Sequence, residues 1–317
     1  MDILHRFSFA DLPIRGQWVR LEKALGLTTV QRDYPYALQS LLNEMLAAVA
    51  MVADNLKFDG AVALQSRGSG VLRRSLAECR NQGLLRGIMH LDEEQAEQMR
   101  LQTDTSATDD LKQWLGQGQL ALSLIPATDT GMQPYQGLIS LVNGNLSACL
   151  EDYFHSSEQL ATRLHFASSA DAVTGLLLQR LPDDPQANEL EIDEANEMWE
   201  MLTALAATVT QKELSELEPS SLLHRLFHDQ SCKLHPYREL AYRCTCSQEK
   251  SDTTLMLLGR EDLLALLEEQ GEIGVDCEFC GSRYHYNAAD VRRLIEASLS
   301  GSVFSARSDS DPGPKLH

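Results

Sequence analysis

The stretch from residue 243 to residue 280 opens Arg243-Cys244-Thr245-Cys246-Ser247 and closes Val275-Asp276-Cys277-Glu278-Phe279-Cys280, and it holds four of the chain's seven cysteines. Two short Cys pairs, with residues 247–276 between them, read as a four-thiolate zinc site. Zinc is borderline-soft and asks only for a tetrahedron, so two pairs brought together by the intervening fold satisfy it and leave no open catalytic position. The site is expected to be closed, with one Zn2+ stapling a small C-terminal module over about 232–300. A module of that size rarely builds enough core alone, and structural zinc supplies on the order of 10–16 kcal/mol of apparent folding free energy.

The spacers add a second property. One residue between Cys244 and Cys246 would throw the two thiols to opposite faces of a regular strand, so the chain must turn there. Thiols that close in sequence can also form a small, strained disulfide, and strained disulfides are the labile kind. Cys277 and Cys280 have the two-residue spacer of redox dithiols. The four sulfurs can therefore act as a staple alone or as a staple and a sensor. Disulfides closing such short loops would constrain the unfolded chain little, so they could not replace the metal, and oxidation should unfold the module.

Within this module the sequence predicts, after the first pair, a polar turn, a strand at Thr253–Leu258 and a helix at about Glu261–Glu269, then the second pair with Gly281, alternating Tyr284 and Tyr286, and a closing helix from Ala288. The tail, 301–317, is rich in Ser, Asp, Gly and Pro and reads as disordered. Upstream, residues 1–180 read as one mixed α+β core domain. It has an amphipathic helix over about Ala37–Leu56 and strand-like runs at Ala61–Gln65, Leu120–Ile125 and Leu138–Val142, punctuated by turn glycines. No phosphate-loop, dinucleotide-binding, H-E-x-x-H or G-x-S-x-G pattern is present, so ATP-driven and hydrolytic mechanisms lack support and no catalytic residue is assigned.

The composition changes at Leu181-Pro182-Asp183-Asp184-Pro185, and residues 181–231 read as an acidic helical linker. From Asp183 to Glu218 there are 11 acidic residues against one basic, Lys212. Ala195, Met198, Trp199, Leu202, Leu205 and Val209 recur at helical spacing, with Glu194, Glu197 and Glu200 on the other side. Two readings stand: a helix packed permanently on the core, or one docked conditionally whose release would expose Met198, Trp199, Leu202 and Leu205. A helix of this length is marginal in water without its partner. A second helix at about Ser220–His228 carries His224 and His228 at i,i+4, a spacing that can hold a metal when both face a cavity and that otherwise marks a solvated flank. Cys232, His235 and His285 are left outside the zinc site because four thiolates complete it. Cys79 and Cys149 read as buried hydrophobes without an assigned role.

Composition bounds the setting. The 317 residues are 43% hydrophobic, enough for more than one domain, and the formal charge of −19 opposes nucleic-acid binding while favouring solubility. The N-terminus lacks a signal-like apolar segment, and the longest apolar-rich stretch, Leu41–Leu56, is broken by Glu44 and Asp54, so neither secretion nor a membrane span is expected. Seven scattered cysteines fit a reducing cytoplasm better than a disulfide framework.

The chain also resembles a known family, that of the 33 kDa chaperonins, the bacterial redox-regulated heat-shock holdases. The resemblance is carried by the two Cys pairs with Tyr284-His285-Tyr286, and by Tyr34-Pro35, Leu41-Leu42-Asn43-Glu44, Leu56-Lys57-Phe58-Asp59-Gly60, Leu85-Arg86-Gly87, Tyr135-Gln136-Gly137 and Asp152-Tyr153-Phe154-His155-Ser156-Ser157-Glu158-Gln159. It implies an ATP-independent chaperone, not an enzyme, inactive while reduced and zinc-bound. Oxidation would then pair Cys244 with Cys246 and Cys277 with Cys280, release zinc, unfold the module and the linker, and expose surface for unfolding clients, with homodimers in the active state. Two other classes remain open on the residues: a thiol-disulfide oxidoreductase using Cys277 and Cys280, and a zinc-ribbon adaptor. Cys232 and the acidic tail depart from the family pattern, and Cys232 leaves room for a competing disulfide with Cys244 or Cys246.

Overall fold

The computed structural model describes residues 1–299 apart from 11, 30–31, 57–58, 102–109, 128–129, 142–143 and 187, together with 315–316. The expected disordered tail at 301–317 therefore lies almost wholly outside the described residues, as do Lys57, Phe58 and Val142. The chain divides into two compact units, Met1–Arg243 and Cys244–His317.

The first unit begins β1 (Ile3–Phe9), β2 (Ile14–Leu21), α1 (Lys23–Thr29) and α2 (Tyr36–Asn55). It continues β3 (Gly60–Arg67), β4 (Leu72–Arg80), β5 (Leu84–Leu91), α3 (Glu93–Leu101), α4 (Leu111–Leu115), β6 (Gln119–Pro126) and β7 (Tyr135–Ile139). Then come α5 (Leu146–Ser156), β8 (Thr162–Ser168), β9 (Val173–Arg180), α6 (Glu189–Ala206), α7 (Gln211–Glu216) and α8 (Pro219–Phe227). Three short strands close it: β10 (Cys232–Leu234), β11 (Arg238–Glu239) and β12 (Ala241–Tyr242). One sheet runs β10-β1-β2-β9-β8 with β11 also on β1, and the other runs β12-β5-β4-β3-β6-β7. The α+β class expected from the sequence is the class observed.

The apolar helix α2 is the centre of the larger core. Its residues Leu42, Met45, Leu46, Val49 and Met51 pack with Val19, Leu21 and Leu177 of the first sheet and with Val62, Leu64, Ala77 and Leu85 of the second. By length and composition α2 could cross a membrane, but 72% of its apolar window is buried inside the fold. Its one deeply buried acid, Asp54, accepts hydrogen bonds from Arg6 at 2.5 Å and Gln17 at 2.7 Å, which tie the end of α2 to β1 and β2. Gly175 on β9 is the concession that lets the helix in: a Cβ there would stand 3.1 Å from the Met51 Cε and 3.0 Å from Val19.

The first sheet is apolar on both faces. Along β2, Val19 and Leu21 face the α2 core, while Ile14 and Trp18 belong to a second cluster; β9 alternates Leu177 with Leu176 and Leu178 in the same way. Period-2 alternation sends neighbouring side chains to opposite faces, so a strand apolar at every position needs a layer on each side. The second layer is α6, α7 and α8, which contribute Leu202, Ala206, Leu214, Leu222, Leu223, Leu226 and Phe227 to that cluster. The first two of these helices begin in capping boxes, Asn188 with Glu191 and Thr210 with Glu213, and the third has Pro219 in its first turn.

Three sequence expectations need correction. Residues 232–243, assigned to the C-terminal module, lie in the first unit: β10 pairs Phe9 with Cys232 and Phe7 with Leu234, and β12 pairs in parallel with β5. Such long-range pairing leaves no local signature. The strand expected at Thr253–Leu258 is instead part of α9 (Gln248–Met256), because Ser247 caps the helix at the Lys250 N–H and the Thr253 and Thr254 hydroxyls donate back to the Glu249 and Lys250 carbonyls. The run expected at Leu138–Val142 starts earlier and ends at Ile139 as β7.

The second unit is α9, α10 (Arg260–Gln270), β13 (Ile273–Asp276), β14 (Arg283–Tyr286) and α11 (Ala288–Leu299). β13 and β14 form an antiparallel hairpin, with Ile273 opposite Tyr286 and Asp276 opposite Arg283. Its buried core is small: Leu255, Leu263, Ile273, Val275, Tyr286, Val291, Leu294 and Ile295.

Candidate metal centre

The β13–β14 hairpin builds half of the site at its tip. The Gly281 N–H donates to the Cys277 carbonyl at 2.8 Å and the Cys277 N–H to the Ser282 carbonyl at 2.9 Å, folding Cys277–Cys280 into a tight knuckle. Gly281 takes φ 68°, in the left-handed region where a side chain is strained. The knuckle aims the Phe279 and Cys280 amides at the Cys277 sulfur. Such a ring of N–H groups stabilises an anion.

The other half comes from the irregular segment before α9, where Cys244 and Cys246 meet the knuckle. The four Sγ atoms lie within 4.8 Å of one another, the convergence expected of a single-ion site. Cys244 Sγ stands 3.6 Å from Cys277 Sγ, and Cys246 Sγ 3.4 Å from Cys280 Sγ. Cys277 is buried and the other three are partly so. The hydrogen bond from Cys244, with the knuckle amides, holds the Cys277 thiol down to about 5 against the cost of burial. Its partner Cys244 is pushed well up, first by that same hydrogen bond and then by burial. Burial also raises Cys246, opposed by a hydrogen bond from the Tyr284 hydroxyl. One thiolate is thus already stabilised by the protein, and thiolates are what a metal binds and an oxidant attacks. All-sulfur donors in a closed cluster suit a thiophilic ion and leave no room for a substrate.

The sequence reading missed the support residues. Tyr284 faces Cys246 from β14, and the Cys280 S–H donates to Ser282 Oγ at 3.2 Å. Two residues apart on β14, Tyr284 and Tyr286 share one face of the hairpin: Tyr286 is buried in the core and donates to Asp252 Oδ1 at 2.8 Å, while Tyr284 packs partly buried against the same core with its hydroxyl at Cys246. Cys277 and Cys280 sit on a turn between two strands, unlike the helix-opening dithiol of thiol-disulfide oxidoreductases.

The remaining candidates separate from the cluster. His285 is exposed, 3.8 Å from Glu272, and His235 belongs to the first unit, where its Nε2 is 2.9 Å from Ser8 Oγ. Cys79 and Cys149 are buried in the α2 core, and burial pushes the Cys79 thiol up to about 12. In α6, Leu202 is fully buried against the first sheet, while Met198, Trp199 and Leu205 are partly buried beside it. Glu194, Glu197 and Glu200 are exposed, as the amphipathic pattern requires.

Comparison with known proteins adds the following. Residues 2–287 match a family model described as Hsp33 protein. A 33 kDa chaperonin from Ectopseudomonas mendocina is 38% identical over 300 residues, covering 94% of this chain and 97% of the relative. One from Shewanella loihica is 36% identical over 295 residues, covering 93% and 96%. The crystal structure of the 33 kDa chaperonin of Thermotoga maritima superposes with a TM-score of 0.76 at 22% identity, covering 94% of this chain and 99% of the other, so the two share a fold.

Proposed function

The chain belongs to the Hsp33 family of chaperones, and from that premise we propose that it is an ATP-independent holdase governed by the redox state of Cys244, Cys246, Cys277 and Cys280. The observation that carries the reading is the convergence of these four sulfurs within 4.8 Å in a unit with a small core of its own. In the reduced state the four thiolates would hold one Zn2+, which supplies the folding energy that this core lacks.

Oxidation then removes the donors. Cys244 pairs with Cys246 and Cys277 with Cys280; each new S–S bond gives up two electrons, taken by one hypochlorous acid, which leaves as chloride and water. Rings this small restrict the unfolded chain little, so the second unit loses its staple without gaining an equivalent. Residues 232–243 join that unit to α8, and loss of order there loosens the α6–α8 layer. Met198, Trp199, Leu202 and Leu205 become accessible together with Ile14, Trp18, Leu176 and Leu178 beneath them, an apolar surface for unfolding clients. The formal charge of −19 keeps this exposed state soluble. The active form is a homodimer, and the reducing cytoplasm is the compartment in which the switch is set.

The experiment follows zinc content and aggregation of a thermally unfolding client together, without ATP, before and after hypochlorite. Zinc loss and suppression should rise in step and reverse with reductant and added zinc. Zinc loss without suppression, or retention of zinc under oxidant, would overturn the reading.

A further inference from the structure

Outside the four-cysteine cluster, the first unit gathers one more set of sulfur and nitrogen donors. After α8 the chain turns through residues 228–231, with the Gln230 N–H bonded to the Phe227 carbonyl, and returns as β10 over the end of the helix. The return borders a pocket of about 210 Å3, open to solvent, whose lining includes His224, His228, Gln230 and Cys232, with Phe227 and Leu234 as its apolar wall. Register fixes the direction of the thiol. Cys232 stands opposite Phe9, whose ring meets Phe227 edge-on at 5.2 Å, so Cys232 shares the face of the sheet on which α8 packs. The two imidazoles are neighbours on the helix, with ring centroids 6.2 Å apart.

We propose that Cys232, His224 and His228 form a second metal site, separate from the four-cysteine cluster, that takes one copper(I) ion. Two imidazoles and one thiolate are the mixed soft donor set that copper accepts in a three-coordinate arrangement, with Gln230 at hand as a weak oxygen donor. Zinc would want a full fourth ligand, which the lining offers only as the neutral oxygens of Gln230 and Ser220 or as water. Among the described residues only the four-cysteine set already has its donor atoms within 4.8 Å, so the ion would draw the imidazoles inward. Both histidines are exposed and can change rotamer at small cost; the group to be displaced is the exposed Asp229 carboxylate, 3.3 Å from His228 Nε2. Arg225 is held by Glu213 at 2.5 Å, which keeps its charge engaged elsewhere. Burial raises the Cys232 thiol to about 11, so in the absence of metal it is protonated and a poor partner for oxidants; copper(I) would take the place of that proton. The bound ion would bridge α8 to β10 and so pin one end of the helical layer to the sheet.

The test uses the full reduced, zinc-loaded chain without oxygen, titrated with copper(I) held by a chromogenic chelator, with a second dye reporting zinc. One equivalent of copper(I) should be taken up before any zinc is released. Cys232→Ser should lose that equivalent, and His224→Gln or His228→Gln should weaken it at least tenfold, with the bound copper showing sulfur and nitrogen neighbours by X-ray absorption. The histidine variants lie on an exposed helix edge and keep the test decisive even where the Cys232 variant folds poorly. Copper uptake that occurs only as zinc is displaced, uptake unchanged in these variants, or preference of the extra site for zinc would each overturn the proposal.

Discussion

Replacing Leu202 by Ala tests whether docking of α6 is what silences the chaperone surface. Leu202 is 0% exposed and sits in the cluster that α6 shares with Trp18, Leu176 and Leu178. Truncating a fully buried Leu costs about 2–5 kcal/mol, part lost transfer free energy and part cavity. Taking about 3 kcal/mol, and a factor of ten for each 1.4 kcal/mol, the undocked state of α6 should become on the order of a hundredfold more populated. Native-state hydrogen exchange reads this directly in residues 189–206, with client aggregation followed in the same reduced, zinc-loaded protein. Exchange should speed by that factor and measurable holdase activity should appear without oxidant. Leu190→Ala is the control, since Leu190 is 80% exposed on the same helix and should change neither readout. Faster exchange in α6 with no activity in the reduced protein would refute the idea that this layer masks the client surface.

Cys277→Ser removes the thiolate held down to about 5, and the purified protein should carry little zinc, with the second unit unfolded and the first still showing a cooperative transition. Peptide mapping after hypochlorite should find Cys244 joined to Cys246 and Cys277 to Cys280; bridges along the 3.6 Å and 3.4 Å contacts, Cys244 to Cys277 and Cys246 to Cys280, would contradict that pairing and leave a cross-linked unit. Acid should act through His165, whose Nε2 is buried without a partner and whose pKa is lowered from 6.5 by burial and by Arg163. Below about 6.5 the unfolded chain binds this proton and the folded one resists it, so stability falls as pH falls, by at most about 1.4 kcal/mol per pH unit. His165→Gln should flatten that slope in denaturant titrations, and an unchanged slope would assign the acid sensitivity elsewhere.

What could be read without coordinates was whatever the chain encodes locally. The apolar period of α2, the two-faced pattern of α6 and the short spacing of each cysteine pair are all statements about neighbours in sequence, and each placed its element to within a few residues. β1 and β2 were missed because both of their faces are covered, so Ile14, Trp18, Val19 and Leu21 show no clean polar alternation. The helix α9 was misread because Thr253 and Thr254 favour strands, while the Ser247 cap that decides the matter lies outside the apolar run. Buried charge was invisible for a different reason: Glu78 accepts at 2.5 Å from Arg80, two residues along the same strand, but also at 2.9 Å from Arg86, which only the pairing of β4 with β5 sets opposite it. At the metal centre the four ligands were legible, but Tyr284, Ser282 and the knuckle amides were not, since hairpin register sets them.

The short strands between the helical layer and the cysteines bear on synthesis. β10 and β11 cover the outer edge of β1, and β12 covers that of β5, so both large sheets wait for residues 232–242 to be completed. During translation every residue of β1 to β9 can emerge while two strand edges still lack their last neighbours, and open edges recruit other chains. The nascent protein therefore passes through a stage in which it is itself an aggregation hazard. A ribosome stalled or a message cut before codon 232 would yield a client for chaperones, and the codons that end this exposure are those immediately preceding Cys244.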